Sequence, residues 1–354
     1  MAPDTHGLLS NDTDAQLRQL YEAMRPQHLY PLWEVLGALV TPTPRAPTVA
    51  AKWEYDIARA HLMRAGDLIS AEKAERRVLI LENPGTPGTA GITTSLYAGL
   101  QMILPGEVAP CHRHSQSALR FVMEGHGAYT AVDGEKAVMN PFDLVLTPNW
   151  QWHDHGNTTD HAMIWLDGLD IPTVRHFDAS FAEHLGQPAH PETVRPGDSS
   201  ARYGHNMRPM RGTAADRRPA HQPLFHYPYP QWRASLDALA AAEAPDPWIG
   251  HALEFINPAD GGAIMPTISA HVRLLPKGFE TKPRRSTDGT VLVVVEGHGH
   301  ARVGDREFTL SERDVIVVPS WDEVTIQAGS DLVLFGYSDR TAQEKLGLYR
   351  ERRA

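Results

Sequence analysis

The chain has 354 residues, 42% of them hydrophobic and 21% charged, with a formal net charge of −10. Such a chain folds, and by length into about two domains; its acidity argues against nucleic acid as a main partner and leaves an anionic ligand dependent on locally placed arginines. The single cysteine, Cys111, rules out an intrachain disulfide and a cysteine-rich metal site. No apolar run nears the ~18 residues of a membrane helix, and the N-terminus lacks the basic flank and apolar stretch of a signal peptide, so no membrane contact and a cytoplasmic location are expected.

Residues 1–77 read as a helical arm. In DAQLRQLYEAM, Leu17, Leu20 and Met24 recur at helical spacing behind Ser10 to Asp14, which offer N-caps. PLWEVLGAL opens with Pro31, suited to a first helical turn, and TPTPRAP at 41–47 is a connector. AKWEYDIARAHLMRAG predicts a further helix. From residue 78 the pattern changes to short β-branched and aromatic segments between Gly, Pro, Asn and Asp turns, which predicts a sandwich or barrel over 78–172. Residues 173–262 form a connecting segment, Pro-, His- and Gly-rich as far as 230, with a helix beginning at Pro230. Strand patterning resumes over 263–340, and 341–354 is a polar tail.

The second strand region repeats the first. LRFVMEGHGAYTAVDGEKAVMNPFDLVLTPNW, from Leu119, lines up with VLVVVEGHGHARVGDREFTLSERDVIVVPSW, from Val291. Both carry an apolar strand, an EGHG turn and a P-x-W close, so two copies of one β-barrel unit are expected.

The first copy holds Gly106-x5-His112-x-His114 and, further on, Pro148-x4-His153-x3-Asn157. Residues i and i+2 of a strand share a face, so His112 and His114 project together, as do His153 and His155. Imidazoles converging inside a barrel suit a first-row metal. A lone histidine of this kind is more often a hydrogen-bonded core residue; the spaced set favours the metal. In the second copy, aligning the EGHG turns sets Arg284 opposite His112 and Ser286 opposite His114, and counting from P-x-W sets Val324 opposite His153. None of these replaces imidazole, so the second copy is expected to be metal-free and structural.

These spacings are cupin motifs, and the chain resembles a mainly β bicupin: two double-stranded β-helix (jelly-roll) barrels behind an N-terminal helical segment. The usual cupin glutamate, four or five residues after the second histidine, is replaced by Ala118 and Leu119, which leaves three histidines and no carboxylate. YAGLQMILPGE, HRHSQSALRF, QWHDHGN and WLDGLDIP together resemble gentisate 1,2-dioxygenases, a family that includes salicylate and 1-hydroxy-2-naphthoate dioxygenases. The resemblance implies Fe(II) on His112, His114 and His153, with a small aromatic hydroxy acid and dioxygen filling the remaining positions. Gentisate would open to maleylpyruvate, a step in aromatic catabolism. A homotetramer is implied too.

The same resemblance puts Arg76 and Arg120 at the substrate carboxylate. Arg76, beside Glu75 and Arg77, reads equally as a surface charge run; Arg120 within an apolar strand does not. Tyr97 and Gln101 match pocket positions, though strand packing would also explain them. His155 resembles a proton-transferring residue near the substrate hydroxyl, or competes with His153 as third ligand; the Pro148 and Asn157 spacing favours His153. Asp167 is expected to orient a histidine or a substrate hydroxyl. Cys111 should point away from the metal, Trp150 and Trp152 flank the site, and His126 and His298 in the matching turns read as structural. A cleavage of salicylate or 1-hydroxy-2-naphthoate is the nearest alternative. A non-oxidative cupin, either an acid binder or an isomerase, is the alternative of another class.

Overall fold

The computed structural model describes residues 11–187, 189–210, 212 and 222–354. The chain divides into two compact units, Met1–Arg45 and Ala46–Ala354. Ser10 and the residues before it lie outside the described ones. In the first unit the predicted helices are Asn11–Met24 and Leu32–Leu39. Trp33 Nε1 donates to Tyr21 Oη (2.8 Å), which donates to Glu34 Oε1 (2.7 Å). Leu32, Trp33, Leu36, Leu39 and Val40 are all open to solvent, from 48% exposed at Leu36 to 71% at Val40.

The second unit holds two barrels, each of two sheets. In the first barrel one sheet runs, neighbour by neighbour, His226–Tyr227, Leu144–Thr147, Ala118–Glu124, Met163–Leu169, Tyr97–Ile103, Val78–Ile80. The other runs Ala182–His184, Val108–His114, His153–Gly156, Tyr129–Val132, Glu135–Val138. The second barrel repeats the plan. Its larger sheet runs Ala51–Trp53, Val315–Val318, Thr290–Glu296, Leu332–Ser338, Ser269–Leu275, His251–Glu254, and its smaller one Arg306–Leu310, Gly299–Val303, Val324–Ala328, Arg284–Ser286, Glu351–Arg353. The connecting segment gives edge strands to both barrels. Helix Tyr229–Ala242 starts one residue before Pro230, which occupies its first turn.

Alternation decides what each strand buries. On the larger sheets, Leu119, Phe121, Leu100, Val293, Val333 and Phe335 point outward into one shared core, where the Phe121 and Phe335 rings stack at 4.1 Å. The alternate residues face the barrel interiors. In the second barrel these are Leu275, Leu292, Val294 and Leu334, which form a separate apolar cluster with Ile316 and Ile326.

Two expectations change. The helix predicted from Ala51 is a strand, Ala51–Trp53, followed by helix Tyr55–Leu68. Ala51 pairs with Val317 in the second barrel, and Asp314 accepts from Tyr55 N (3.1 Å) and Lys52 Nζ (3.2 Å). Tertiary pairing thus overrides local preference. The polar tail is also ordered structure, a helix Arg340–Lys345 and a strand Glu351–Arg353 paired with Arg284–Ser286. No described helix is long and apolar enough to cross a membrane.

Candidate active site

Strands Val108–His114 and His153–Gly156 set Ala109 opposite His155 and His112 opposite His153, with a register shift between the two pairs. Pro110, which has no N–H to give a ladder, and Cys111 occupy the shifted stretch. A bulge of this kind re-aims side chains, here bringing His112 beside His114 and His153. Cys111 is buried, and burial pushes its thiol up to about 11, so it is not a ready thiolate.

The rings of His112, His114 and His153 lie 4.3 to 5.3 Å apart, and one ligand nitrogen from each falls within 4.8 Å of the others. Among the described residues this is the only such group of three. His114 Nδ1 lies 2.9 Å from the Gln116 carbonyl, His153 Nδ1 2.9 Å from that of Gln151, and His112 Nδ1 3.2 Å from that of Pro110. At His114 and His153 a proton held at Nδ1 by the carbonyl leaves Nε2 as the bare donor. His153 Nε2 is buried and has no hydrogen-bond partner. Burial, with the Arg76 charge behind it, pushes His112 down to about 3; burial takes His114 to about 4 and His153 well below the ordinary imidazole value. Three neutral imidazoles with convergent nitrogens, one of them otherwise unsatisfied, fit a first-row metal ion.

His155 lies outside that group. Its ring is 5.8 Å from His153; its Nδ1 is 2.9 Å from Thr130 Oγ1, and its Nε2 is buried without a partner. Arg76 Nη2 donates to the Pro110 carbonyl (2.8 Å) and lies 2.6 Å from His112 Nδ1. Arg76 is therefore beside the triad and not in a solvated charge run. Its neighbour Arg77 goes the other way, with a doubled contact of 2.9 Å to Glu107.

Arg120 is 4% exposed and its Nε lies 3.5 Å from Asp167 Oδ1, while its Nη1 donates to Thr147 Oγ1. Asp167 also accepts from Trp165 Nε1 (3.0 Å), so it positions an arginine and an indole where a histidine was one expectation. Burial raises its carboxyl to about 6 even though Arg120 pulls the other way, and burial brings Arg76 down to about 10, with the Arg120 charge as second cause. Two cations thus lie in the field of one buried carboxylate, Asp167, which is close to Arg120.

Tyr97, Gly99 and Gln101 face the interior of strand Tyr97–Ile103, with Gly99 opposite Asp167 and Gln101 opposite Trp165. A Cβ at Gly99 would come within 2.6 Å of Tyr97 Oη, so the glycine lets the phenol ring fold back along its own strand. Trp150 and Trp152 sandwich the outward-facing Arg113, each ring centre 4.5 Å from its guanidinium. His126 packs on His161 at 4.4 Å. Sequence reasoning passed over Thr147, Thr130 and Tyr337. Thr147 directly precedes the Pro148 of the second motif, which could have drawn notice; nothing local marks Thr130, nor Tyr337, which reaches in from the other barrel to donate from Oη to the Tyr97 carbonyl (2.9 Å).

In the second barrel Arg284 faces Val324 across the strands, as His112 faces His153 in the first. The alignment of the two copies is therefore also their structural equivalence.

The cupin domain family matches residues 99–169. Gentisate 1,2-dioxygenase 1 of Aquipseudomonas alcaligenes is 53% identical over 95% of this chain and 96% of its own length. A gentisate 1,2-dioxygenase of Streptomyces sp is 38% identical over 95% of each. The solved structure of salicylate 1,2-dioxygenase from Pseudoaminobacter salicylatoxidans, as an adduct with gentisate, superimposes with a TM-score of 0.90 at 32% identity, covering 99% of this chain and 96% of that one.

Proposed function

The chain belongs to the gentisate 1,2-dioxygenase family of bicupins, and from that premise we propose that it opens the ring of gentisate between the carboxylate-bearing carbon and the adjacent hydroxylated carbon, giving maleylpyruvate. The observation that carries this reading is the meeting of three neutral imidazoles and two guanidiniums, Arg120 buried and Arg76 half-buried, in one barrel. His112, His114 and His153 are the metal ligands, and Fe(II) is the metal; the all-imidazole donor set suits it. When bound, Fe(II) supplies a centre that holds the chelating substrate and dioxygen side by side and conducts electrons between them.

The protein's own groups bind and orient. Arg120 and Arg76 hold the substrate carboxylate by charge-assisted hydrogen bonds. Arg76 keeps its bonds to the Pro110 and Glu75 carbonyls and offers its remaining N–H groups to that carboxylate. Asp167 and Thr147 fix the Arg120 guanidinium. His155 Nε2, with no partner of its own, receives the proton given up by the ortho hydroxyl. Tyr97 and Gln101 wall the ring. The second barrel has a structural role.

The reading includes a homotetramer, supported by the apolar side chains left open around helix Leu32–Leu39. It also includes a cytoplasmic setting, consistent with the lone buried cysteine. A second substrate, salicylate, is favoured by the likeness to an enzyme of that name.

The test is oxygen uptake by Fe(II)-reconstituted protein on adding gentisate, salicylate or 1-hydroxy-2-naphthoate. Uptake with gentisate, matched by the near-ultraviolet band of a ring-opened product, is expected. No uptake with any of the three at full iron occupancy would sink the oxidative reading in favour of acid binding or isomerisation.

A further inference from the structure

We propose that the mouth of the second, metal-free barrel is a binding site for a small carboxylate anion, held by Arg273 and Arg284. Strand Ser269–Leu275 sends Ala270, Val272 and Leu274 into the shared core, so Ser269, His271, Arg273 and Leu275 face the barrel interior. The deeper interior is aliphatic, with Leu275, Leu292, Val294 and Leu334 packed together. A barrel kept only as scaffold could be filled that way throughout. Its mouth instead carries two guanidiniums and an imidazole.

The register shows what was exchanged. His271 faces Gly336 and Arg273 faces Leu334, as Gly99 faces Asp167 and Gln101 faces Trp165 in the first barrel. Leu292 faces Gly336 where Arg120 faces Asp167. The second barrel has therefore lost both the buried arginine and the carboxylate that neutralises it, and has gained a cation two strands over. Arg284 stands at the His112 position and donates from Nε to Glu351 Oε1 (2.9 Å). Glu351 is already shared with Arg353 Nε (2.7 Å) and Tyr349 Oη (3.1 Å).

Arg273 has no hydrogen bond and no ion pair with any described residue, and burial, followed by the charge of Arg284, brings it down to about 9. Asp288, the other carboxylate facing the pair, accepts from Thr290 Oγ1 (3.3 Å), lies beyond ion-pair distance of both guanidiniums, and keeps Oδ1 without a partner. The His271 imidazole lies over Gly336, where a Cβ would meet Nε2 at 2.5 Å, and that nitrogen is buried and unpartnered. Arg273 is half-buried, its guanidinium keeps no partner among the described residues, and a carboxylate satisfies a guanidinium fork in two bonds. Strand Glu351–Arg353 covers one side of the mouth by pairing with Arg284–Ser286.

The test is an equilibrium titration of the iron-loaded full chain with benzoate and acetate, with inorganic phosphate and neutral benzamide as controls. Two classes of carboxylate site per chain are expected, one in each barrel, and benzamide should not fill the second. Arg273→Met should lose that second class, or weaken it at least tenfold, while turning over gentisate with unchanged kcat and KM. Arg273→Lys, which keeps the charge and protects against a folding failure, should weaken it less. A single class of site in the wild type, or undiminished binding in both variants, would overturn the proposal. Phosphate occupying the second site while both carboxylates fail would overturn the ligand assignment. Gentisate turnover is read separately, so failure here leaves the catalytic reading untouched.

Discussion

His153 Nε2 has neither solvent nor a hydrogen-bond partner, and that defines its part in the site. Removing the ring in His153→Ala should abolish metal retention while the fold persists, as read by metal analysis after desalting; an active, fully metallated variant would refute the ligand assignment. Arg120 is a different kind of residue, since its partners Asp167 and Thr147 hold it whether or not substrate is present. Arg120→Met should leave the metal bound and weaken gentisate binding by roughly 10- to 100-fold, the loss of charge-assisted hydrogen bonds worth about 1.5–3 kcal/mol. Asp167, already raised to about 6, can take up a proton when its cation goes, so the variant should fold. The histidines also set a pH dependence. His112 and His114 titrate at about 3 and about 4 in the folded state, against 6.5 for an ordinary imidazole. Between those values the unfolded chain binds more protons than the native one. The metal-free protein should therefore lose stability steadily as pH falls from about 6.5 to about 4. Denaturant melts across that window, showing no loss, would contradict the buried neutral triad.

At the scale of elements, strand Met163–Leu169 couples the two barrels. Gly168 lies between Asp167 and Leu169, and a Cβ there would meet the Tyr337 ring at 2.8 Å and Leu119 at 2.9 Å. Tyr337 belongs to the second barrel, and its hydroxyl holds the Tyr97 carbonyl. Gly168→Ala should destabilise by about 1–3 kcal/mol through overpacking, measured by denaturant melts. Tyr337→Phe should cost about 1 kcal/mol for the lost hydrogen bond, with metal content unchanged. The bulge before His112 belongs to this scale too. The G-x5-H-x-H spacing is readable, but the register shift that turns His112 toward His153 arises only when strand His153–Gly156 pairs beside it.

Over the whole molecule the two barrels share one plan and differ at a few interior positions. The first carries histidines and an Arg120–Asp167 pair; the second has Arg284, Val324, Leu292 and Gly336 at the matching positions. One tightly held metal per chain is therefore expected, and two per chain by elemental analysis of the reconstituted protein would contradict the placement of all metal chemistry in the first barrel.

The sequence by itself determined the duplicated barrel, through strand alternation and the repeated EGHG and P-x-W landmarks, and it determined the histidines, because ligand spacing on a strand is a local property. It also showed that the second copy carries Arg284, Ser286 and Val324 where the first carries histidines. It left open whether Arg76 was surface or site, and for Asp167 it offered a histidine or a substrate hydroxyl, missing the arginine. Those depend on which strands meet across the barrel, as when Asp167 pairs opposite Arg120. The strand Ala51–Trp53, the ordered C-terminal strand and the reach of Tyr337 are likewise products of tertiary pairing. Each rests on a partner more than 60 residues away in sequence, with which no local pattern of side chains can communicate.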